Sequence, residues 1–439
     1  MTDIRQIAYN TLLESECDGG TKSLVKDVLD KYSYLDRQDR RFLKRLIEGT
    51  IERRITIDHV LNLYSKVPVK KMKKQIRTLL RMGTCQLLYM DNVTPYAAVN
   101  ETVKLAKKTG AGALSGFVNG VLRRISENAD AISWPSKDDD TVKYMSVMYS
   151  CPEWITEKLI NEHGADNAET LLKLSVTVRP LTARINLSKA SPEEVLSKCG
   201  GRISDILPYA VILEDYDNIT DIPAVAEGLI CIQDISSMLV CHVAGIKEDD
   251  TVLDLCAAPG GKSLHAADLA VHGKVTACDI SERKIAVIRE NIDRCGFSNI
   301  RTKVGDATVF DPSISGSADV VIADVPCSGL GVIGRKNDIK YNITPEKIRD
   351  LVPIQRNILK NAAEYVKDGG TLMFSTCTCS ECENNGNMRY LTKECGLTPV
   401  GFYDELPERL KCDSAKEGYI QLFGKDGLTD GFFIGKFRK

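Results

Sequence analysis

The sequence predicts a multidomain chain. An all-α bundle comes first, a small α/β module follows, and a doubly wound α/β domain fills the C-terminal half. Three observations predict it. Apolar residues recur at helical spacing over the first 130 residues, and strands and helices alternate strictly from about residue 226. The length, 439 residues, suits roughly two to four domains. A composition 43% hydrophobic and 27% charged supplies real cores, and 15 prolines and 32 glycines exclude a collagen-like or wholly disordered chain.

Residues 1–130 read as helical. Ile4, Ile7, Ala8 and Leu12 share one helical face, as do Phe42, Leu43, Leu46 and Ile47. The pattern returns in IRTLLRMGTCQLLYM and FVNGVLRRI, with a break at Asp91, Asn92 and Pro95. Residues 131–150, with Pro135 and three consecutive aspartates in ISWPSKDDD, read as a linker. In 151–225, Pro152 to Leu174 reads as helix and TARINL (182–187) as strand. Ser191 caps a helix with Pro192 at its first position, Glu194 three residues beyond the cap and Gly200 at its end.

Residues 226–439 alternate. The strands are TVLDLCA, KVTACDI, NIRTKVGDA, ADVVIADVPC and GGTLMFSTC, and helices stand between most of them, including a long one near Pro345–Lys367. Strands apolar on both faces belong in a parallel sheet covered by helices, and such sheets bind ligands beyond the C-terminal ends of their strands.

Those ends carry chemistry. The first strand ends in Asp254-Leu-Cys-Ala-Ala-Pro-Gly-Gly-Lys262, whose glycines let backbone approach a ligand at a helix N-terminus. The run is neither G-x-G-x-x-G nor a P-loop, so neither a dinucleotide nor ATP is favoured. Asp279, 25 residues on, suits a ribose diol, with Ser281 the better helix cap. Asp306, in Gly305-Asp306-Ala307, suits an exocyclic amine. A glycine loop with two acids and no phosphate clamp points to a nucleoside, and S-adenosylmethionine fits that description better than a nucleotide. Two further strands end in Asp324-Val-Pro-Cys327 and Ser375-Thr-Cys377, a pairing of thiols that favours thiol chemistry over two structural cysteines. Which thiol does what is left open by the residues alone. Cys377, Cys379, Cys382 and Cys395 also keep a four-thiolate zinc site in view. The first lies inside a buried strand and the last beyond a helix, so no metal is expected.

Charge and cysteine usage bound the setting. The 58 Lys and Arg against 60 Asp and Glu argue by themselves against a polyanion, but Arg37–Arg81 holds 14 basic residues against 4 acidic. That is the footprint of a polyanion-binding surface, or else a solvated helical face. Fifteen scattered cysteines, no apolar signal core and no long apolar run predict a reduced, cytoplasmic, non-membrane protein.

At DLCAAPGGKS, ACDIS, GDA, DVPCSGLGVI and FSTC with Glu383-Asn384 downstream, the chain resembles the bacterial small-subunit (16S) ribosomal RNA cytosine-C5 methyltransferase B family, among the RNA 5-methylcytosine methyltransferases. LDRQDRRFLKRLIEGTIERR, LLRMGTCQLLYM and AAVNETVKLAKKTG resemble that family's N-terminal domain, itself similar to the antitermination factor NusB. CPEWITEKLINEHG and TARINL resemble its middle module, and DGFFIGKF its final hairpin, so the resemblance spans nearly the whole chain.

The resemblance implies a NusB-like bundle at 1–130 and a Rossmann-like methyltransferase domain at 226–439. It implies S-adenosylmethionine as methyl donor, with Cys256, Ala257, Ala258, Pro259, Gly260, Gly261, Lys262, Asp279, Asp306 and Asp324 around it or the target base. Cys377 is then the nucleophile, and Cys327 assists release of product. Lys262 holds a backbone phosphate or structures its loop. A monomer is expected to dock rRNA on Arg37–Arg81 with Arg123 and Arg124, and more weakly through Arg184 and Asn186. Where the family has Pro-Glu-Glu-Asn, this chain has Glu381-Cys382-Glu383-Asn384, with the last Glu and Asn in register. A tRNA cytosine methyltransferase and a non-catalytic assembly factor are the alternatives.

Overall fold

The structure, a computed structural model, describes residues 3–18, 21–214 and 219–439. Two units emerge. One runs to Thr177 and takes in Ile333–Asn342; the other comprises Val178–Val332 and Ile343–Lys439.

In the first unit the helices Ile4–Asp18, Arg37–Glu52, Arg54–Tyr64, Lys74–Tyr89, Pro95–Lys108 and Ser115–Glu127 surround a core built on Leu43, Leu46, Ile47, Leu61, Leu79 and Leu122. Local chemistry sets their ends. Asp36 accepts the Asp39 N–H at 2.8 Å, and Thr94 accepts that of Ala97 at 3.3 Å with Pro95 in the first turn, which is the break read from the sequence. At Gly83 a Cβ would lie 2.7 Å from Leu122 Cδ1, so Lys74–Tyr89 meets Ser115–Glu127 only because the residue is glycine. Within the stretch read as linker, Thr141–Met148 is helical, since Asp140, one of the three aspartates, caps it at Lys143 N. The helix read across Pro152–Leu174 is two, Glu153–His163 and Ala165–Leu174, divided at Gly164 with φ of 79°.

The segment 333–342 belongs to this helical unit although it follows the Cys327 loop in sequence. Lys340 is buried with its ammonium on the Glu52 carbonyl at 2.9 Å, and Tyr341 donates to the Ile51 carbonyl at 3.0 Å. Arg54 lies 3.6 Å from the centre of the Tyr341 ring. Burial pushes the Lys340 amine down to about 8.

The second unit starts with a four-stranded antiparallel sheet: β1 (Leu181–Ile185), β2 (Arg202–Ile203), β3 (Ala210–Leu213) and β4 (Ile230–Ile232), ordered β2-β3-β1-β4. The capped helix is Pro192–Cys199, with Ser191 accepting Glu194 N at 3.3 Å and Gly200 at φ of 67°.

The large sheet follows: β5 (Thr251–Asp254), β6 (Lys274–Asp279), β7 (Ile300–Val304), β8 (Ala318–Asp324), β9 (Val366–Thr376), β10 (Thr398–Pro399), β11 (Tyr419–Phe423) and β12 (Gly431–Arg438). Its order is β10-β12-β9-β8-β5-β6-β7, with β11 also on β12. β5 to β9 are mutually parallel, as read. The closing hairpin β11–β12, which the resemblance placed at DGFFIGKF, adds antiparallel to β9 at one edge. Successive residues feed opposite faces. Val252, Val320, Ile322 and Met373 pack on one side and Leu253, Val321, Leu372 and Phe374 on the other. β5 is the turning point, with β6 and β7 on one flank and β8 and β9 on the other. A crevice opens at such a reversal, beyond the strand ends.

Candidate active site

Every sequence-predicted acid of the large sheet stands at or just beyond a strand end: Asp254 on β5, Asp279 on β6, Asp306 after β7 and Asp324 on β8. The ladder sets Asp324 opposite Ser375, so the loops carrying Cys327 and Cys377 leave adjacent strands side by side. Their sulfurs lie 3.3 Å apart.

The loop after β5 returns across β6, with Ala257 N bonded to the Cys278 carbonyl at 2.9 Å. Gly260 takes the left-handed conformation, φ 108°, and opens the helix Gly261–Leu269 without a side-chain cap. First-turn N–H groups are thus left to a ligand. Cβ atoms on Gly260 and Gly261 would stand 3.4 Å from Ile288 and Gln233 side-chain atoms, in ordinary contact, so it is the positive φ of Gly260 that calls for glycine. Asp279 holds the turn, accepting Ala258 N at 2.9 Å, Ile280 N at 2.8 Å and the Lys284 ammonium at 2.9 Å. Ser281 caps the next helix, Glu282–Cys295, as read. Asp306 accepts the N–H and hydroxyl of Thr308, which holds its carboxyl below the usual range. With Leu255, Gly305, Ala307, Phe310 and Tyr365 it lines a cavity of about 330 Å³. A helix terminus open to polar groups, acids on the neighbouring ends and a largely apolar cavity fit a nucleoside with a charged tail. S-adenosylmethionine has that shape.

Asp254 is deepest. It is fully buried, with Ser263 donating to Oδ2 at 2.7 Å, and burial pushes its carboxyl up from 3.8 to about 6 against the help of Ser263 and Lys262. The native state therefore holds this proton more tightly than the unfolded chain. Stability falls as pH rises from about 4 to about 6, and the deficit persists above. Asp254→Asn is expected to stabilise the fold by about 1–3 kcal/mol at pH 7.5 and hardly at all at pH 4. Thermal unfolding at the two pH values tests this, and equal gains at both would refute it.

Lys262 is buried, with its ammonium 2.6 Å from Asp324 Oδ2, while Ser375 donates to Oδ1 at 2.8 Å. Burial opposes charge on Lys262, but Asp324 outweighs it and the amine sits above its ordinary value. Cys256 is partly buried, and desolvation pushes its thiol up, so it stays protonated. Cys327 is held well above a normal thiol by its contact with Cys377 first, then by burial, then by the charges of Cys377, Glu383 and Asp324.

Sequence reading missed what locks these loops together. Glu383 is fully buried and accepts the N–H of Ser328 at 2.8 Å, the Ser328 hydroxyl and the Gln355 amide at 2.9 Å. Asn384 takes the Thr376 hydroxyl at 2.6 Å and donates to the Thr378 carbonyl at 2.9 Å. Gly331 N bonds the Cys377 carbonyl at 3.0 Å, and its missing Cβ would lie 1.8 Å from the Gly431 oxygen. Glu383 and Asn384 were visible only as in-register members of a motif.

Other expectations fall differently. Arg184 and Asn186, read as weak RNA contacts, are 1% exposed. Arg184 pairs with Asp268 at 2.7 Å, and Asn186 donates to the Gly228 and Cys295 carbonyls. These partners cover both side chains, so neither reaches solvent. The basic block divides too. Arg81 is bonded to Asp58 and Arg53 to the Val176 carbonyl, whereas Arg41, Lys44, Lys71, Lys73, Arg123 and Arg124 are exposed. Lys66, Lys70, Arg54, Arg77 and Arg81 line a cleft of about 920 Å³ in the helical unit. Among the described residues no cluster of three or more metal-ligating side chains occurs, and no helix is long and apolar enough to cross a membrane. Cys382 is exposed beside Ser380, and Cys379 is buried against Gln421.

Comparison with known proteins agrees with this arrangement. Two family models match: 16S rRNA methyltransferase RsmB/F at residues 242–438 and the NusB family at 2–127. A probable ribosomal RNA small subunit methyltransferase B of Bacillus subtilis (strain 168) is 34% identical over 100% of this chain and 99% of its own length. Its counterpart in Synechocystis sp. is 32% identical over 100% of both. Among solved structures, PH0851 superimposes with a TM-score of 0.79 at 23% identity, covering 100% of this chain and 99% of that one. NSun6 from Pyrococcus horikoshii with SFG gives 0.58 at 22%, covering 66% of this chain and 98% of that one. At such identities these two speak for the fold.

Proposed function

Because the chain belongs to the ribosomal RNA small subunit methyltransferase B family of S-adenosylmethionine-dependent enzymes, we propose that it methylates C5 of one cytosine in small-subunit rRNA through a covalent bond between Cys377 and C6 of the base. The observation that carries this reading is the pair of thiols 3.3 Å apart at the ends of adjacent parallel strands, beside Asp324.

Cytosine C5 is too weak a nucleophile to take a methyl group directly. Attack of the Cys377 thiolate on C6 forms a C–S bond and leaves C5 enamine-like, which splits one hard step into easier ones. S-adenosylmethionine, when bound, supplies the electrophilic methyl carbon. Asp324, oriented by Lys262 and Ser375, accepts hydrogen bonds from N3–H and the exocyclic amine, stabilising the ring as it becomes protonated. Loss of the C5 proton then restores the C5–C6 double bond as the C6–S bond breaks and Cys377 leaves as thiolate. Cys327 assists that release, directly or through water. The base must leave its RNA stack to reach these groups.

In this reading Cys256–Lys262, Asp279 and Asp306 surround the methyl donor, which occupies the open turn and the cavity beside Asp306. The helical residues 1–130, through Lys66, Lys70 and the exposed cations around them, and the module 151–225 dock the RNA. The protein acts as a cytoplasmic monomer.

Incubation with methyl-labelled S-adenosylmethionine and either protein-free small-subunit rRNA or bulk tRNA, with the label mapped by bisulfite sequencing, tests the proposal. A single protected cytosine in the rRNA is expected. Label in tRNA alone would overturn the substrate, and label on a base other than cytosine would overturn the chemistry.

A further inference from the structure

The loops that carry Cys327 and Cys377 are fastened to one another on both sides of the sulfurs. Before them, Val325 N donates to the Ser375 carbonyl at 3.2 Å. After them, the Ser328 and Thr378 hydroxyls lie 2.7 Å apart, and both approach the buried Glu383 carboxylate. These bonds fix the two sulfurs as a pair, 3.3 Å apart, and favour neither. A disulfide needs about 2.05 Å between sulfurs, so closure asks for a shift of roughly 1 Å.

Proximity alone does not select this pair. Cys231 and Cys295 also have their sulfurs 3.3 Å apart, but they are 3% and 2% exposed, in a core with Leu264, Ile285, Ile288 and Ile292. Cys382 is exposed, with its sulfur on the Ser380 hydroxyl at 3.2 Å. Cys327 and Cys377 combine contact with access, being only partly buried just beyond the ends of β8 and β9. A reachable thiol beside a second one is the arrangement that reversible oxidation requires.

We propose that Cys327 and Cys377 form a reversible oxidation site, closing to a disulfide when a peroxide enters, so that methyl transfer stops before either sulfur is destroyed. In the first step one thiolate attacks a peroxide oxygen and the O–O bond breaks. That sulfur becomes a sulfenic acid, and the departing hydroxide takes up the proton the thiol gave up. In the second step the neighbouring sulfur attacks the sulfenic sulfur, the S–O bond breaks, and water leaves with the second thiol's proton. Two thiols lose two electrons, and one hydrogen peroxide becomes two waters. The order in which the sulfurs react does not alter the product. The second step outruns further oxidation because it is intramolecular. The arrest of methyl transfer rests on the covalent mechanism above, whereas the disulfide itself does not.

The full-length protein, reduced and then freed of reductant, is treated with hydrogen peroxide, blocked with N-ethylmaleimide and digested with trypsin. Peptide 304–335 is expected to be joined to peptide 368–389 with loss of two hydrogens, and fragmentation should place the link between Cys327 and Cys377. The link should be absent from Cys327→Ser and Cys377→Ser and retained in Cys382→Ser. Methyl transfer by the wild type should be lost in step with the link and return on addition of dithiothreitol. In Cys327→Ser, Cys377 should instead gain two oxygens as a sulfinic acid, which dithiothreitol does not reverse. A thermal melt of each variant before treatment shows that it is folded.

Sulfinic or sulfonic acid at both sulfurs of the wild type, with no link, would overturn the proposal. So would a link that runs through Cys379 or Cys382, or a Cys231–Cys295 link that forms as fast. A Cys327–Cys377 link with undiminished methyl transfer would overturn the arrest and, with it, Cys377 as nucleophile. An active enzyme that forms no link would overturn the oxidation site and leave the covalent mechanism standing.

Discussion

Cys377→Ala is expected to abolish methyl transfer, by more than about 10³-fold, because it removes the nucleophile that opens the C6 position. Cys327→Ala should fail in another way. Its Cys377 can still attack and the methyl group can still move, but release is impaired, and a protein–RNA adduct should accumulate that survives a denaturing gel. The pair of outcomes distinguishes the two thiols more sharply than activity alone. An adduct in the Cys377 variant and none in the Cys327 variant would reverse the assignments. Absence of any adduct together with full activity in the Cys327 variant would remove that residue from the chemistry. The 3.3 Å separation matters here, since a group meant to assist release must lie beside the sulfur that leaves.

The second large effect is expected at Asp324. Asp324→Asn keeps the shape but replaces the acceptor of the ring N–H with an amide, and the catalytic constant should fall about 10²–10³-fold with little change in affinity for RNA. It should also destabilise the fold. The Lys262 ammonium, 9% exposed, loses its ionic partner at 2.6 Å, and because Asp324 is only partly buried the cost falls below the ~3–5 kcal/mol of a fully buried pair. Lys262→Met should destabilise similarly yet leave the carboxylate in place, with a smaller loss of rate. A comparison of kcat, KM and melting temperature across the two variants tests this. Equal losses of kcat in both would assign the role to the ion pair as a whole, and a Asp324→Asn enzyme within tenfold of wild type would remove Asp324 from the reaction.

The parts of this site that could be read without coordinates share a property: each is encoded over a few consecutive residues. Buried strands announce themselves as apolar runs, Gly260-Gly261 marks a tight turn, and an acid or cysteine at the end of such a run has only one edge of the sheet to occupy. Ser191 and Ser281 were legible as caps, and Pro95 as part of a break, for the same reason. What failed to read depends on partners distant in the chain. The alternation of TARINL was correct as strand, but whether Arg184 meets water depends on what covers β1 on both sides. DGFFIGKF is a strand in any orientation, and its own residues do not say that it runs antiparallel to β9. Glu383 reads as an ordinary acid before a helix until Ser328, 55 residues earlier, closes on it. The basic block counted charges faithfully, yet Arg53 and Arg81 serve the fold, and the surface available to a polyanion is smaller than the count.

The ten residues Ile333–Asn342 bear on how the gene can be divided. They lie within the reading frame of the methyltransferase half, yet complete the helical unit, where Lys340 and Tyr341 satisfy the carbonyls at the end of Arg37–Glu52. A fragment stopped at Thr177 would lack them, leaving the Ile51 and Glu52 carbonyls without these donors and Arg54 without the Tyr341 ring on which it stacks. The helical half is therefore not a cassette that a single crossover could add or remove intact. Any exchange of it between relatives, by recombination or in the laboratory, must carry two separate stretches of sequence, and the second begins only six residues after Cys327.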